Sequence, residues 1–165
     1  MANAFRFSSE EGMKLCRELS QPELKFMPHD YSLIIATNIM DGIDCLFRSA
    51  CGSGKTGILA LIALCIVKIG AKNSLVPTKA PLIIPDIPVI LVICPTDALE
   101  MDLERKLKSY SIKATAINSD LCAKASHDHE QDLWVTAKSS NVILLAPEQL
   151  EGDGLARALN DASFL

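Results

Sequence analysis

Apolar and polar positions along this 165-residue chain follow two periods, one helical and one of buried strands. Met13, Cys16 and Leu19 recur at helical spacing, behind a Ser8 and Glu11 pair set three apart like a capping box. That helix ends before Pro22, and a second is predicted over 30–40, closed by Asp41-Gly42. Residues 43–48 (Ile-Asp-Cys-Leu-Phe-Arg) read as a short buried strand. The apolar run 58–67 suits a core helix that extends from 55 to about 69, with Gly70 as its stop. Prolines 77, 81, 85 and 88 make 71–88 an extended surface insertion. Residues 89–93 are an unbroken aliphatic run, the mark of a strand covered on both faces. Thr96 caps the next helix with Asp97 in its first turn. Its buried stripe is Leu99, Leu103 and Leu107, and its wet face pairs Asp102 with Lys106 and Glu104 with Lys108. Strands follow at 112–117 and 141–145, with a polar helical region at 119–138 and a weakly packed one at 146–160. Aliphatic strands alternating with helices predict an α/β fold whose parallel sheet carries helices on both faces.

The chemistry of the chain centres on the junction between the first predicted strand and the core helix. Ser49-Ala50-Cys51-Gly52-Ser53-Gly54-Lys55-Thr56 is a glycine-rich turn between a strand and a helix that opens on Lys-Thr, the context of a phosphate-binding loop. Gly52 and Gly54 admit backbone conformations closed to other residues, so N–H groups and the positive helix end can surround phosphate oxygens. Lys55 would reach the outer phosphates and the Thr56 hydroxyl would hold Mg²⁺. Ser49 stands where the usual pattern begins with Gly.

Composition narrows the classes. The chain is about half apolar and poor in aromatics, as an aliphatic α/β domain is, and long enough to bury a core. A net charge of −4 gives no global field to recruit nucleic acid, so such contact would be local and weak. The six cysteines (16, 45, 51, 65, 94, 122) lack CxxC or zinc spacing and sit largely in apolar runs, as reduced thiols do. Cys51, beside Lys55 at a helix start, is where a thiolate is favoured. His127-Asp128-His129 reads as a solvated segment and not a metal site. No apolar leader opens the chain and its longest apolar run is ten residues, so a soluble nuclear or cytoplasmic protein without membrane contact is expected.

Three segments in order carry a resemblance. They are Pro28-His29-Asp30-Tyr31 running into the glycine-rich loop, residues 89–99 (a strand ending in Cys94-Pro95-Thr96), and residues 141–150 with Ala146-Pro147-Glu148. Over about 24–160 the chain resembles the first RecA-like lobe of superfamily 2 helicases, and RecQ-like DNA helicases in particular. The resemblance implies a RecA-like phosphate-loop NTPase, with ATP and Mg²⁺ as cofactors. It divides the chain into an N-terminal helical extension (1–23) and a partial ATP-binding domain (24–165). It also implies that Pro95, Thr96, Arg105, Lys106 and Lys108, with Lys113, touch a nucleic-acid backbone, DNA or RNA.

The departures from the family pattern bear on base selectivity and activity. Ser32 replaces the Gln that reads adenine in the family, and Ala146 replaces a Ser. The family's Asp-Glu-x-His motif does not occur, and the nearest acidic substitutes are Asp86 and Glu148. In the family its Asp orders Mg²⁺ and its Glu activates water. The expectation is therefore an incomplete lobe, lacking a second RecA-like lobe or protein partner, that binds nucleotide but is inactive alone. A non-catalytic nucleotide-binding or interaction module and, less favoured, a small-molecule phosphate-loop kinase are the alternatives. With Arg only at 6, 17, 48, 105 and 157, the paired arginines of a kinase lid are hard to supply.

Overall fold

A computed structural model describes residues 5–50, 52–72, 75–76, 84–127 and 132–161. They fall into two compact units, Met1–Pro88 and Val89–Leu165.

The first unit is helical. Helix α1 (Glu10–Ser20) is capped by Ser9, whose hydroxyl accepts from the Gly12 N–H at 3.2 Å. The cap therefore lies one residue beyond the predicted Ser8, whose own N–H donates to the Asp41 carboxylate at 3.0 Å. Asp41 also accepts from the Phe7 N–H at 2.7 Å, fixing the start of the chain against the end of α2 (Asp30–Met40). Helix α3 (Lys55–Ala71) is apolar all round, and a helix of that kind must be covered on more than one side. Helices α1 and α2 supply the cover, with Cys16, Leu33, Ala36 and Met40 in a common core with Leu61, Leu64 and Cys65. Lys68 donates to the Leu19 carbonyl at 2.6 Å and to the Glu23 carboxylate at 2.5 Å. Gly70 does not stop α3, which runs on to Ala71. It admits the returning chain instead, because a Cβ there would stand 2.5 Å from the Pro85 carbonyl oxygen. Much of the proline-rich insertion lies outside the described residues; Ile84 and Pro88, at its far end, are buried.

The predicted buried strand at 43–48 is not formed. Those residues have no regular structure, with Ile43 46% and Leu46 101% exposed. A strand is stabilised by its neighbours, and among the described residues no β-ladder includes this segment.

The second unit holds a three-stranded parallel sheet in the order β1-β3-β2, formed by β1 (Ile90–Ile93), β2 (Ala114–Ile117) and β3 (Val142–Leu145). Central β3 is buried at every residue. Ile143 and Leu145 pack with Trp134 and Ala137 of α6 (Leu133–Ala137) and with Leu155 and Ala158 of α7 (Asp153–Leu159). Helix α4 (Asp97–Ser109) contacts β2 and β3 through its own buried side, so helices cover both faces. Gly154 is required there, since a Cβ would fall 2.2 Å from the Trp134 indole nitrogen. Helix α5 (Ser119–His127) and a 3₁₀ turn (Pro147–Glu151) complete the unit.

Two further expectations are corrected in this unit. The run 89–93 is not covered on both faces: β1 is an edge strand, with Leu91 41% and Ile93 45% exposed. The stripe of α4 is Leu103 and Leu107 without Leu99, which is 39% exposed, while Glu100 of the same helix is fully buried.

Candidate phosphate-binding loop and strand ends

The glycine-rich turn is organised from three sides. Gly52 and Gly54 have φ of +79° and +84°, in the left-handed region that glycine enters without strain. Gly54 is the N-cap of α3 and has no side chain to offer as a cap. Its carbonyl accepts from the Gly57 N–H at 2.8 Å, which starts the helix. The first N–H groups of a helix have no partner in a preceding turn, so those of Lys55 and Thr56 stay available to an incoming acceptor. No acidic residue stands in the first turn of α3.

Lys55 closes the loop from within. Its Nζ donates to the Ala50 carbonyl at 2.8 Å, to the Ser49 carbonyl at 3.2 Å and to the Ser49 hydroxyl at 3.4 Å. The Ser49 and Ser53 hydroxyls meet at 2.6 Å. The serine in the usual glycine position thus ties the two ends of the loop together. Tyr31 of α2 holds the loop from outside, its phenol donating to the Ser53 carbonyl at 2.7 Å. Gly57 leaves room for Phe26, whose ring would lie 2.8 Å from a Cβ at that position. Thr56 is half-buried at the start of α3, and Cys51 lies outside the described residues.

The residues expected to touch nucleic acid are not gathered into one patch. Pro95 and Thr96 are exposed just past β1, and the Thr96 hydroxyl caps α4 by accepting from the Leu99 N–H at 3.4 Å. Arg105, Lys106 and Lys108 lie roughly 14 to 18 Å farther along the same helix, at 1.5 Å per residue. Each is paired with an acid one turn back: Arg105 with Asp102 at 3.6 Å, Lys106 with Asp102 at 2.9 Å, Lys108 with Glu104 at 2.9 Å. These are the pairs the sequence spacing anticipates, and they partly neutralise the basic run.

Sequence reasoning missed Glu100. Its Oε2 accepts from the Asn118 amide at 2.9 Å, and Oε1 has no partner. Burial, opposed by the Asn118 bond and reinforced by Asp97 and Glu148, raises its pKa from the ordinary glutamate value. Burial, helped by Glu100, also pushes the nearby Cys94 thiol up to about 11. The i, i+3 and i+7 spacing of 100, 103 and 107 is the signal that could have revealed it. Of the substitute acids, Asp86 stands in a bend and Glu148 is exposed in the 3₁₀ turn. Among the described residues no group of three or more His, Cys, Asp or Glu could hold a metal ion. No described helix is long and apolar enough to cross a membrane.

A glycine turn opening a buried helix, and a parallel sheet with helices on both faces, define an α/β chain of the RecA-like class. The model of the DEAD/DEAH box helicase family matches residues 32–165, more than half of the chain, and the chain belongs to that family. Comparison with curated proteins gives no match.

Proposed function

We propose that this chain is a nucleotide-binding part of a RecQ-like DNA helicase, and that its 165 residues bind Mg-ATP without hydrolysing it. The observation that carries the reading is Lys55, an exposed cation over a loop of left-handed glycines whose hydrogen-bond partners among the described residues are neutral oxygens. Triphosphate oxygens bear full charge and would displace those carbonyls, with the Lys55 and Thr56 N–H groups as further donors. Residues 49–56 would hold the phosphates. Among the described residues the Thr56 hydroxyl is the group placed to hold Mg²⁺, which would come in on the phosphates with several waters retained. Mg²⁺ supplies charge neutralisation to phosphoryl transfer.

Hydrolysis needs more than binding. No Asp-Glu pair occurs in the 165 residues, so nothing supplies the water-activating carboxylate of the family motif. The pairing of Arg105, Lys106 and Lys108 with acids of their own helix supports weak nucleic-acid contact at best, with a shallow salt dependence. A non-catalytic nucleotide-dependent module is the second reading, favoured by the same two observations.

Titration with a fluorescent ATP analogue, with and without Mg²⁺, tests the proposal against Lys55→Ala. Binding in the parent and its loss in the variant are expected, together with no phosphate release above background. Equal affinity of the two proteins would remove the loop from the account.

A further inference from the structure

Two segments of the chain offer strand hydrogen bonds that nothing among the described residues takes up. The first is the outer edge of β1. The Ile90 and Cys94 N–H groups donate to the Asn141 and Leu145 carbonyls at 2.8 and 2.9 Å, so Ile90, Val92 and Cys94 face β3. Backbone groups alternate along a strand, and the N–H and C=O of Leu91 and Ile93 therefore point away from β3, where no strand stands among the described residues. Natural sheets blunt such an edge with charge, proline or a bulge. Strand β1 has none of these: it is Ile-Leu-Val-Ile in unbroken register, and its nearest prolines, 88 and 95, lie outside it.

The second is the irregular segment 43–48. The N–H groups of Asp44 to Arg48 make no hydrogen bond among the described residues. Ile43 and Leu46 are exposed, Leu46 completely. In an extended conformation Ile43, Cys45 and Phe47 fall on one face. Composition and free backbone are those of a strand, and the partner is missing.

We infer that the two segments answer each other between copies. Residues 43–48 of a second copy of this chain add as a fourth strand to the open edge of β1, and the exchange is reciprocal, giving a two-fold dimer. Each chain carries one donor segment and one receiving edge, as a closed exchange requires, and a single chain leaves both unfilled. Main-chain hydrogen bonds supply the affinity, while Ile43, Cys45 and Phe47 give apolar cover to the exposed Leu91 and Ile93. Arg48 adjoins Ser49, so the receiving copy also fixes the strand that enters its partner's glycine-rich loop.

The test is the mass of the full chain in solution, by light scattering or sedimentation, across protein concentration. The parent is expected to pass from the mass of one chain to that of two. Leu46→Pro removes a donor N–H at a fully exposed position without regular structure and leaves the edge intact. Leu91→Lys places a charge on the edge and leaves the donor intact. Each variant alone is expected to stay monomeric where the parent is dimeric, and Leu46→Pro to keep the parent's thermal unfolding midpoint. An equimolar mixture of the two is expected to recover a dimer with one copy of each, because the donor of one meets the edge of the other. A parent that is monomeric throughout overturns the inference. So does a Leu46→Pro variant that still dimerises, as edges pairing directly with each other would. A mixture of folded variants that stays monomeric overturns it too. Should Leu91→Lys fail to fold, Leu46→Pro alone decides, since its substitution lies outside every helix and strand.

Discussion

The N-termini of α3 and α4 solve the same problem in opposite ways. Both leave backbone N–H groups without helical partners, and both carry the positive end of a helix dipole. Helix α4 satisfies these from within, with the Thr96 hydroxyl as cap and Asp97 and Glu100 in its first turn. Helix α3 has no side-chain cap. Its cap is a glycine in the left-handed region, its first turn has no acid, and its first side chain is a lysine. One end is already occupied by the protein's own negative charge; the other is left for an anion from outside. The contrast argues for phosphate at α3, and against strong attraction of a nucleic-acid backbone to the Pro95-Thr96 turn, where Asp97, Glu100 and Glu148 interact electrostatically.

The largest test of that contrast is the affinity lost when the open end is disabled. Lys55→Ala should weaken Mg-nucleotide binding by about 10²-fold, the value of a hydrogen bond to a charged group at about 3 kcal/mol. Asp97→Asn, one helix-end charge removed from α4, should leave that affinity unchanged. A comparable effect of both variants would mean that the two ends are not distinct in function. Gly54→Ala should follow, destabilising the first unit by about 1 to 2 kcal/mol because a Cβ is strained at φ +84°. Among the described residues a Cβ there would have one neighbour within 4 Å, the Tyr31 hydroxyl at 3.8 Å, so strain and not collision sets the cost. Chemical denaturation reads it, and an unchanged midpoint would mean that the glycine is there for another reason.

The two ends were not equally legible in the sequence. Glycines, Lys-Thr and the apolar helix behind them mark α3 because loop and helix are local in the chain. Thr96 and the Asp102–Lys106 and Glu104–Lys108 pairs are local too, and the structure forms all of them. What failed was non-local. Residues 43–48 have a strand's composition but no partner strand, and composition alone does not provide one. The aliphatic run of β1 reads as doubly covered, yet its position at the sheet edge leaves Leu91 and Ile93 exposed. Glu100 escaped notice because a carboxylate on a helix is ordinarily assigned to the wet face; only the packing of α4 on β2 and β3 puts it inside. The stacking of Tyr31 on Phe47 was not legible either, because the contact spans sixteen residues of chain and depends on how the irregular segment folds back.

A smaller effect tests the closed end. Thr96→Ala removes the hydroxyl that accepts from the Leu99 N–H and should cost the second unit about 1 kcal/mol. Thr96→Asp keeps an acceptor and adds charge at the dipole's positive end, so it should recover that loss. Failure of the aspartate to rescue would mean that the hydroxyl acts elsewhere than at the cap.

The smallest effect is the most specific, because it depends on pH. Glu100 is buried beside Asp97 and Glu148, with the Asn118 amide on one oxygen and no partner on the other. The helix dipole and Asn118 favour its ionised form, while burial and the two neighbouring carboxylates oppose it. The raised pKa shows that burial prevails. A carboxyl whose folded pKa lies above its unfolded value holds its proton longer when folded. Its penalty is therefore absent at pH below the unfolded value and grows as pH rises through the folded one. Glu100→Gln removes the charge and keeps a carbonyl oxygen for Asn118. It should raise the unfolding midpoint by a few degrees at pH 8 and lose this advantage as pH falls into the carboxylate range. Thermal unfolding of the two proteins across that range decides the matter. A gain independent of pH would trace to packing. A loss at pH 8 would mean that the ionised carboxylate is held favourably at the start of α4.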